Sequence, residues 1–510
     1  MPDKAPIHRG SLFYGALLLT AGSVAIQGVQ LIFQIVISNV LGAAGLGRMH
    51  LILMIGSFAA ILGSGGIRIA ATCLAAEEAG RGYYSGVKAA MRCCFLYGIC
   101  LSALVAAVLY RAAIPISIRW IGNKEAESSI RILAVFLPVG CASSVLAGFY
   151  TASGRIAELV SVELLERILS LGIVVLMLRI SILDPCASVF FGSSLATLAG
   201  FLILFQRYRR SLRSIPSAPL RPMMSRLVHL TIPLGLNDVF RSGLRTVEHL
   251  LIPKGLRKSG ASGEEAIASY GTIGGMVFPV ITFPCIILNA VSDLLVPEMA
   301  RCQVLKRQER IRFLTEKCLR FSTLFSVGFS GICLLLGDEL GTFLFHSHEA
   351  GTYIRIFAPL IPILYVDTIT DGMLKGLSQQ LYTVRYNTIT SLLDLFLIWL
   401  LVPSLGITGF LTAYTVSHIL NFYLSLQRLV SVTGYMPKLM TAVLSVTSCG
   451  MSVLLTMLLT PGLHGIVLFI RVIPFLGLYL LFSGFFGILE GTDIQWIAGL
   501  IYPKKNTRSR

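Results

Sequence analysis

The sequence has few charged side chains. Asp, Glu, Lys and Arg make up 13% of the 510 residues, whereas soluble globular domains carry about 25%. Hydrophobic residues make up 55%, and they occur in runs long enough to cross about 30 Å of hydrocarbon. These runs tile nearly the whole chain and leave no room for a soluble catalytic domain. The sequence therefore predicts an all-α polytopic membrane protein with about fourteen transmembrane helices.

The sequence also lacks the motifs that are typical of soluble enzymes and of metal sites. The chain has no nucleotide-binding P-loop, no H-E-x-x-H zinc motif and no G-x-S-x-G nucleophile turn. Its eleven cysteines form no C-x-x-C pair and no Cys/His cluster. We therefore expect a membrane transporter rather than an enzyme, with no cofactor and no metal site.

Fourteen apolar segments are predicted to span the membrane. Their ranges are 12–40, 48–74, 86–110, 129–152, 158–179, 187–206, 227–252, 268–296, 314–336, 353–376, 382–402, 405–427, 438–460 and 464–488.

The net charge of +17 is explained by the loops rather than by nucleic acid, which we do not expect as a partner. If the N-terminus is cytoplasmic, 27 Lys and Arg residues fall in cytoplasmic segments and nine in outer loops. Basic residues collect in short cytoplasmic loops of membrane proteins. The bias predicts that both the N-terminus and the C-terminus are cytoplasmic.

A basic, proline-bearing segment divides the chain. The stretch RYRRSLRSIPSAPLRPMMSR separates the sixth and seventh predicted spans. We predict an N-terminal six-helix lobe over 1–206, a cytoplasmic linker over 207–226, a C-terminal six-helix lobe over 227–430, and two further helices with a basic tail over 431–510. Internal repeats of this kind are common in transporters, whose substrate sites lie between the repeats.

The seventh span carries most of the charges within the predicted membrane segments. Asp238, Arg241, Arg245 and Glu248 follow one another at i, i+3, i+7 and i+10, which places them on one face of a helix. Charges inside a bilayer are expensive and mark functional sites by default. This face either lines a polar cavity, as we favour, or neutralises itself.

Other polar residues within the spans are substrate-site candidates. Arg68 has no carboxylate near it in sequence and is a candidate for direct contact with an anionic group. Gln27, Gln30 and Gln34 form a stripe that either binds sugar hydroxyls or joins helices. Glu163 and Arg167 are spaced for an i,i+4 ion pair with a structural role.

Four acids are candidates for ion coupling: Asp293, Asp367, Asp371 and Asp394. Each could carry a coupling proton or sodium ion.

Three blocks of the sequence resemble one known family. They are ISNVLGAAGLGRMHLILMIGSFAAILGSGGI near the N-terminus, GEEAIASYGTIGGMVFPVITFPCIILNAVSDLLVPEMA around the eighth span, and FAPLIPILYVDTITDGMLKGLSQQLYTVRYNTITSLLDLFLIWLLVPSLGITGF from the tenth span to the twelfth. Together they resemble the stage V sporulation protein B family of polysaccharide-type flippases, within the multidrug/oligosaccharidyl-lipid/polysaccharide exporter superfamily.

The resemblance implies two six-helix lobes around a central cavity, two additional C-terminal helices and alternating access. Many relatives have arginines where Gln27 and Gln34 stand in this chain, which argues against a lipid II-like substrate here. Relatives have proline where Arg68 stands. Arg68, Arg241 and Arg245 therefore become the candidates for an anionic headgroup.

The leading hypothesis is a flippase that moves a lipid-linked saccharide, such as a polysaccharide or peptidoglycan-type precursor, across the cytoplasmic membrane of a bacterium. Spore envelope assembly is the expected setting. Its partners would be the lipid-linked saccharide, membrane lipids and a coupling proton or sodium ion. One alternative is a cation-coupled multidrug antiporter of the same fold, and another is a non-transporting membrane scaffold for envelope assembly. A membrane-embedded glycosyltransferase is disfavoured because the loops are short and poor in acids.

Overall fold

The computed structural model describes residues 9–181, 183–213, 216, 219, 221–460 and 470–489, with side chains from residue 21 onward except at 221, 222 and 234. The predicted basic tail beyond 489, parts of the predicted linker and the start of the predicted last span lie outside the described residues.

Seventeen α-helices and no strand occur in the described part of the chain. The helices are α1 Arg9–Ser64, α2 Ile67–Gly80, α3 Tyr84–Ile116, α4 Ala126–Ala152, α5 Ile156–Ile180, α6 Pro185–Ser211, α7 Arg221–Lys258, α8 Gly263–Gly271, α9 Phe278–Thr282, α10 Cys285–Val304, α11 Gln308–Phe345, α12 His348–Phe357, α13 Ile361–Gly376, α14 Gln380–Leu405, α15 Ile407–Thr433, α16 Leu439–Leu459 and α17 Val472–Phe485. Thr272–Val277 is a π-helical turn that follows α8.

The predicted all-helical membrane fold is confirmed. By length and composition, eight helical stretches of the described chain can cross a membrane, or nine if one pair bent by 56° counts as a single span. One of the eight, Ala21–Gly80, is 60 residues long and contains two predicted spans. The helices α5, α7 and α15 have 25, 38 and 27 residues, and about 20 suffice to span the hydrocarbon. Each of the first thirteen predicted spans therefore corresponds to a helix or a helix pair, and α17, with 14 residues, lies within the last one.

The first two predicted spans are joined differently from our expectation. We predicted a loop between residues 40 and 48, but α1 passes through that region with a single break at Gly42, where φ is 66°. The chain breaks instead at Gly65 and Gly66, inside the predicted second span, with φ values of 43° and 72°. Glycine adopts this left-handed conformation without steric penalty. The second break separates α2 from α1 and places Arg68 at the start of a new helix.

Close glycine contacts hold α8 against α1. A Cβ atom on Gly47 would lie 2.0 Å from the carbonyl oxygen of Ile267, and one on Gly271 would lie 2.1 Å from that of Ala43. Only glycine allows the two backbones to approach this closely. Small residues serve the same purpose in many membrane helix pairs.

The chain forms two compact units, residues 1–275 with 394–413 and residues 276–393 with 414–510. In the first unit, α1 packs against α3, α4, α5, α7 and α8. Within the second, α11 packs against α12, α13 and α16, around a buried cluster that includes Leu335, Leu336 and Phe475. The lobe boundaries predicted at 206 and 227 stay a prediction.

We predict that Gly47→Ala destabilises the protein. The added methyl group would clash with the backbone of Ile267, and overpacking of this kind costs about 1–3 kcal/mol. The melting temperature of the detergent-purified protein should fall by several degrees. Gly28→Ala is the control, since nothing lies within 4 Å of the position that an added Cβ would take. Equal melting temperatures for the two variants would contradict the close packing of α1 and α8.

Candidate functional site

A cavity lined by apolar side chains and by a set of polar ones lies inside the first unit, among α1, α4, α5 and α6. We call it the polar cavity for its polar set. Its volume is about 400 Å³, which falls within the range of about 300–1,000 Å³ typical of small-ligand sites. The polar lining residues are Gln30, Gln34, Ser64, Ser144, Arg167, Ser170, Ser193, Ser194 and Thr197. Hydroxyl and amide groups therefore alternate with apolar surface, an arrangement suited to a hydroxylated ligand.

The glutamine stripe divides between two roles. Gln30 is exposed and lines the cavity, whereas Gln27 is exposed but lies outside the lining. Gln34 also lines the cavity, yet it is only 7% exposed. Its Nε2 donates to the carbonyl oxygen of Gly275 at 2.9 Å and lies 3.3 Å from Nε2 of His50. The amide of Gln34 is therefore occupied by protein groups.

The Gly275 carbonyl lies in the π-helical turn Thr272–Val277, and Gln34 reaches it from α1. A buried carbonyl that loses a hydrogen-bond donor costs free energy. The sequence left open whether the glutamines bind ligand or join helices, and the hydrogen bond to Gly275 favours the helix-joining role for Gln34.

Arg167 is the positively charged residue in the lining of this cavity. It was not among the ligand residues expected from the sequence. We expected it to pair with Glu163, but no such ion pair occurs within 4.0 Å among the described side chains. Ser170 follows Arg167 by three residues on α5 and donates a hydrogen bond to Oγ of Ser193 at 3.0 Å. Glu163, Arg167 and Ser170 are spaced i, i+4 and i+7, so their shared face was readable from the sequence.

Glu163 instead approaches Arg68. The Nη2 of Arg68 lies 3.9 Å from Oε1 of Glu163, and the Arg68 side chain remains 56% exposed. No carboxylate lies near Arg68 in the sequence, and Glu163 reaches it from α5, 95 residues further along the chain. At this length and exposure the contact leaves much of the guanidinium available to another partner.

The charged stripe of α7 lies on a helix that packs along α1. A Cβ on Gly235 would lie 2.9 Å from the Cα of Gly65, and Oγ1 of Thr246 donates to the carbonyl oxygen of Met54 at 3.3 Å. The later residue of α7 contacts the earlier residue of the partner segment, so α7 is antiparallel to this part of α1.

Asp238 and Arg241 do not neutralise each other. Neither makes an ion pair or a side-chain hydrogen bond with any residue that the structure describes. Arg241 and Arg245 are both exposed. Of the two predicted alternatives for this stripe, self-neutralisation therefore fails for Asp238 and Arg241.

Glu248 meets Asp394, a residue of α14 that belongs to the same unit. The carboxyl of Asp394 and the guanidinium of Arg245 lie near enough to Glu248 to interact with it electrostatically. Asp394 is 7% exposed. Two neighbouring carboxyl groups repel each other when both are ionised, so this pair is suited to hold one added positive charge.

Two acids of α13 contact α15 in the second unit. Oδ2 of Asp367 accepts from Nδ2 of Asn421 at 2.8 Å, and Oδ1 of Asp371 accepts from Oγ of Ser425 at 3.4 Å. The other oxygen of Asp367 is buried and has no hydrogen-bond partner among the described residues. Asp293, on α10, is exposed. The structure thus joins Asp367 and Asp371 in one network, without Asp293.

A family model for "Polysaccharide biosynthesis protein" matches residues 12–303, which is more than half of the chain. The chain belongs to this family. Stage V sporulation protein B of Bacillus subtilis (strain 168) is 22% identical over 420 residues, which cover 78% of this chain and 79% of that protein. The predicted resemblance is confirmed.

Two solved transporter structures share the fold of this chain. The lipid II flippase MurJ in an inward closed conformation superposes with a TM-score of 0.72 at 11% identity, over 93% of this chain and 98% of that one. An inward-facing multidrug resistance MATE family transporter gives a TM-score of 0.63 at 12% identity, over 82% of this chain and 100% of that one.

We predict that Gln34→Leu lowers the melting temperature of the purified protein, whereas Gln27→Leu does not. The first substitution leaves the buried Gly275 carbonyl without its side-chain donor, a loss of about 1–3 kcal/mol. The second removes an amide that is exposed. Equal melting temperatures would mean that the Gln34 contact contributes nothing to stability.

Proposed function

We propose that this protein is a flippase that carries a lipid-linked saccharide across the cytoplasmic membrane of a bacterium by alternating access. Its family description concerns polysaccharide biosynthesis, and the MurJ structure whose fold it shares is that of a lipid II flippase. The sporulation proteins among its relatives support a role in building the spore envelope.

Arg241 carries the proposal. It lies near the middle of the 38-residue helix α7 and makes no ion pair or hydrogen bond with the described protein. An arginine at the centre of a membrane helix costs about 2.5–3.5 kcal/mol on insertion scales. Such a residue faces water or a ligand rather than lipid. A phosphate of a lipid carrier would satisfy it.

Arg245 and Arg68 extend the same chemistry. Arg245 follows Arg241 by one turn of α7, and Arg68 keeps an exposed guanidinium beside a long contact with Glu163. Arginine binds phosphate oxygens in a bidentate fork. None of these three arginines lines the α1–α4–α5–α6 cavity, where Gln30 and hydroxyl groups offer hydrogen bonds to sugar hydroxyls.

A protein of this design removes the main barrier to lipid flipping. A headgroup of hydroxyls and phosphates cannot enter hydrocarbon without losing its hydrogen bonds to water, at several kcal/mol for each group. Polar side chains within the membrane replace those hydrogen bonds while the prenyl chain stays in the bilayer. The ligand then shifts the transporter between states through its different affinity for each.

Glu248 and Asp394 are our proposed coupling pair. They can hold one proton between them or one sodium ion, and Arg245 lies close enough to sense the change. Occupation of the acid pair by a cation would leave Arg245 freer to bind an anionic headgroup. Asp367 and Asp371, with Asn421 and Ser425, form a second candidate site in the other unit.

A cation-coupled multidrug antiporter is the second candidate. The acid pair favours it, since acids can serve both coupling and the binding of cationic drugs. The exposed arginines oppose it, because they would repel such drugs.

The substitutions Arg68→Gln, Arg241→Gln and Arg245→Gln test the proposal together. Reconstituted protein should flip a fluorescent polyprenyl-diphosphate saccharide, and the triple variant should do so at least about tenfold more slowly. The reason is that each charge-assisted hydrogen bond contributes about 1.5–3 kcal/mol. The measurement is the fraction of labelled headgroups that become accessible to a membrane-impermeant quencher.

The control variant replaces three arginines that we place near the outer ends of spans, Arg111, Arg119 and Arg179, with glutamine. It loses the same charge and should flip at the wild-type rate. Drug efflux that survives in the arginine triple variant, without saccharide flipping by the wild-type protein, would favour the antiporter. Flipping by the wild-type protein in liposomes excludes the scaffold alternative.

The coupling pair gives a separate prediction. Glu248→Gln and Asp394→Asn should leave downhill exchange of the saccharide lipid intact and abolish its accumulation driven by a proton or sodium gradient. Asp293→Asn, at an exposed site, is the control. Gradient-driven accumulation by the Glu248/Asp394 double variant would show that this pair is not the coupling site.

A further inference from the structure

A large basic groove lies between the beginning of α3 and the end of α6. Its volume is about 1220 Å³. Five cations line it, and no acidic residue does: Lys88, Arg92, Arg209, Arg210 and Arg213. We call this surface the α3–α6 groove. It is separate from the polar cavity and from the α7 stripe.

The arginines at the end of α6 differ from other cations of the first unit. Arg155 and Arg207 contact Glu158, and Arg226 contacts Glu77 and Glu78. In contrast, Arg209 and Arg210 of α6 and Arg213, just beyond it, form no ion pair with the described residues, and Arg209 lies 6.0 Å from the Phe205 ring. No acidic residue of the groove lining compensates these three arginines.

The remaining wall of the groove is aromatic and apolar. Phe205 stacks on Phe201 at 5.4 Å between ring centroids and meets Phe95 edge-on at 6.2 Å. Deeper along the helices, Ile99 is 44% exposed and Leu202 is 54% exposed.

Cations and apolar residues share one face on each helix. Ile99 follows Arg92 by seven residues on α3, and Leu202 precedes Arg209 by seven on α6. Seven residues are two helical turns, or about 10 Å along the axis. The groove thus presents positive charge at the helix ends and hydrocarbon contacts about 10 Å further into the membrane, with aromatic rings between them.

We propose that the α3–α6 groove binds an anionic phospholipid of the surrounding membrane. The headgroup phosphate contacts the arginines and Lys88, and the acyl chains lie along Ile99 and Leu202. Basic pockets between membrane helices on the cytoplasmic side are suited to anionic headgroups, and the charge bias of the loops predicts that these helix ends are cytoplasmic. A soluble phosphate would use the cations but leave the apolar part of the groove uncovered.

The test compares binding of phosphatidylglycerol and phosphatidylcholine to the delipidated full-length protein in detergent, measured by native mass spectrometry. The groove variant carries Lys88→Gln, Arg92→Gln, Arg209→Gln, Arg210→Gln and Arg213→Gln. We expect its affinity for phosphatidylglycerol to fall at least about tenfold, with its weak binding of phosphatidylcholine unchanged.

A matched variant removes five exposed cations of the second unit, Arg301, Lys306, Arg307, Arg310 and Arg385, also by glutamine. It should bind phosphatidylglycerol within twofold of the wild-type protein. An equal loss in both variants would overturn the proposal, because it would indicate general attraction to positive charge.

A second variant keeps every charge and fills the apolar part of the groove. Leu202→Trp should weaken phosphatidylglycerol binding several-fold without affecting binding of inorganic phosphate. Unchanged phosphatidylglycerol binding by this variant, or displacement of the lipid by millimolar phosphate, would overturn the assignment to a lipid. This inference does not depend on the flippase proposal, since lipid binding is measured without transport.

Discussion

Hydrocarbon offers no hydrogen-bond partner to the chain that crosses it, and this constraint governs the molecule. Every backbone group inside the bilayer must be satisfied by the protein, which makes the described chain helical. Every break in a helix then needs a local remedy. Gly42 breaks α1, and Gly65 and Gly66 separate it from α2, in left-handed conformations that glycine adopts. Gln34 donates a hydrogen bond to the buried carbonyl of Gly275.

The same constraint explains why so few charged residues carry the chemistry. A charge that enters the membrane needs a counter-charge, a proton or a ligand. Glu163 lies 3.9 Å from Arg68, and Asp394 lies near Glu248. Asn421 and Ser425 donate hydrogen bonds to the two acids of α13. Arg241 makes no ion pair or hydrogen bond in the described structure. An external anion can therefore contribute more at Arg241 than at a paired cation.

The helices were predictable from the sequence because their signal is local. Apolar runs and basic loops identify spans without knowledge of their neighbours, and the charged face of α7 follows from helical periodicity alone. Contacts between distant segments were not predictable. Glu163 reaches Arg68 from 95 residues away, and Asp394 lies 146 positions from Glu248. The roles of the three glutamines diverge for the same reason, since in the described structure only Gln34 reaches the carbonyl of Gly275.

The hydrogen bond from Gln34 to Gly275 joins positions 241 residues apart. Its acceptor is a main-chain carbonyl, which every residue carries, but a Cβ atom at position 275 would lie 3.3 Å from Nε2 of Gln34. A larger residue at position 275 therefore crowds the glutamine amide, and a shorter donor at position 34 relieves the crowding. Positions 34 and 275 should accordingly vary together across descendants of a common ancestor.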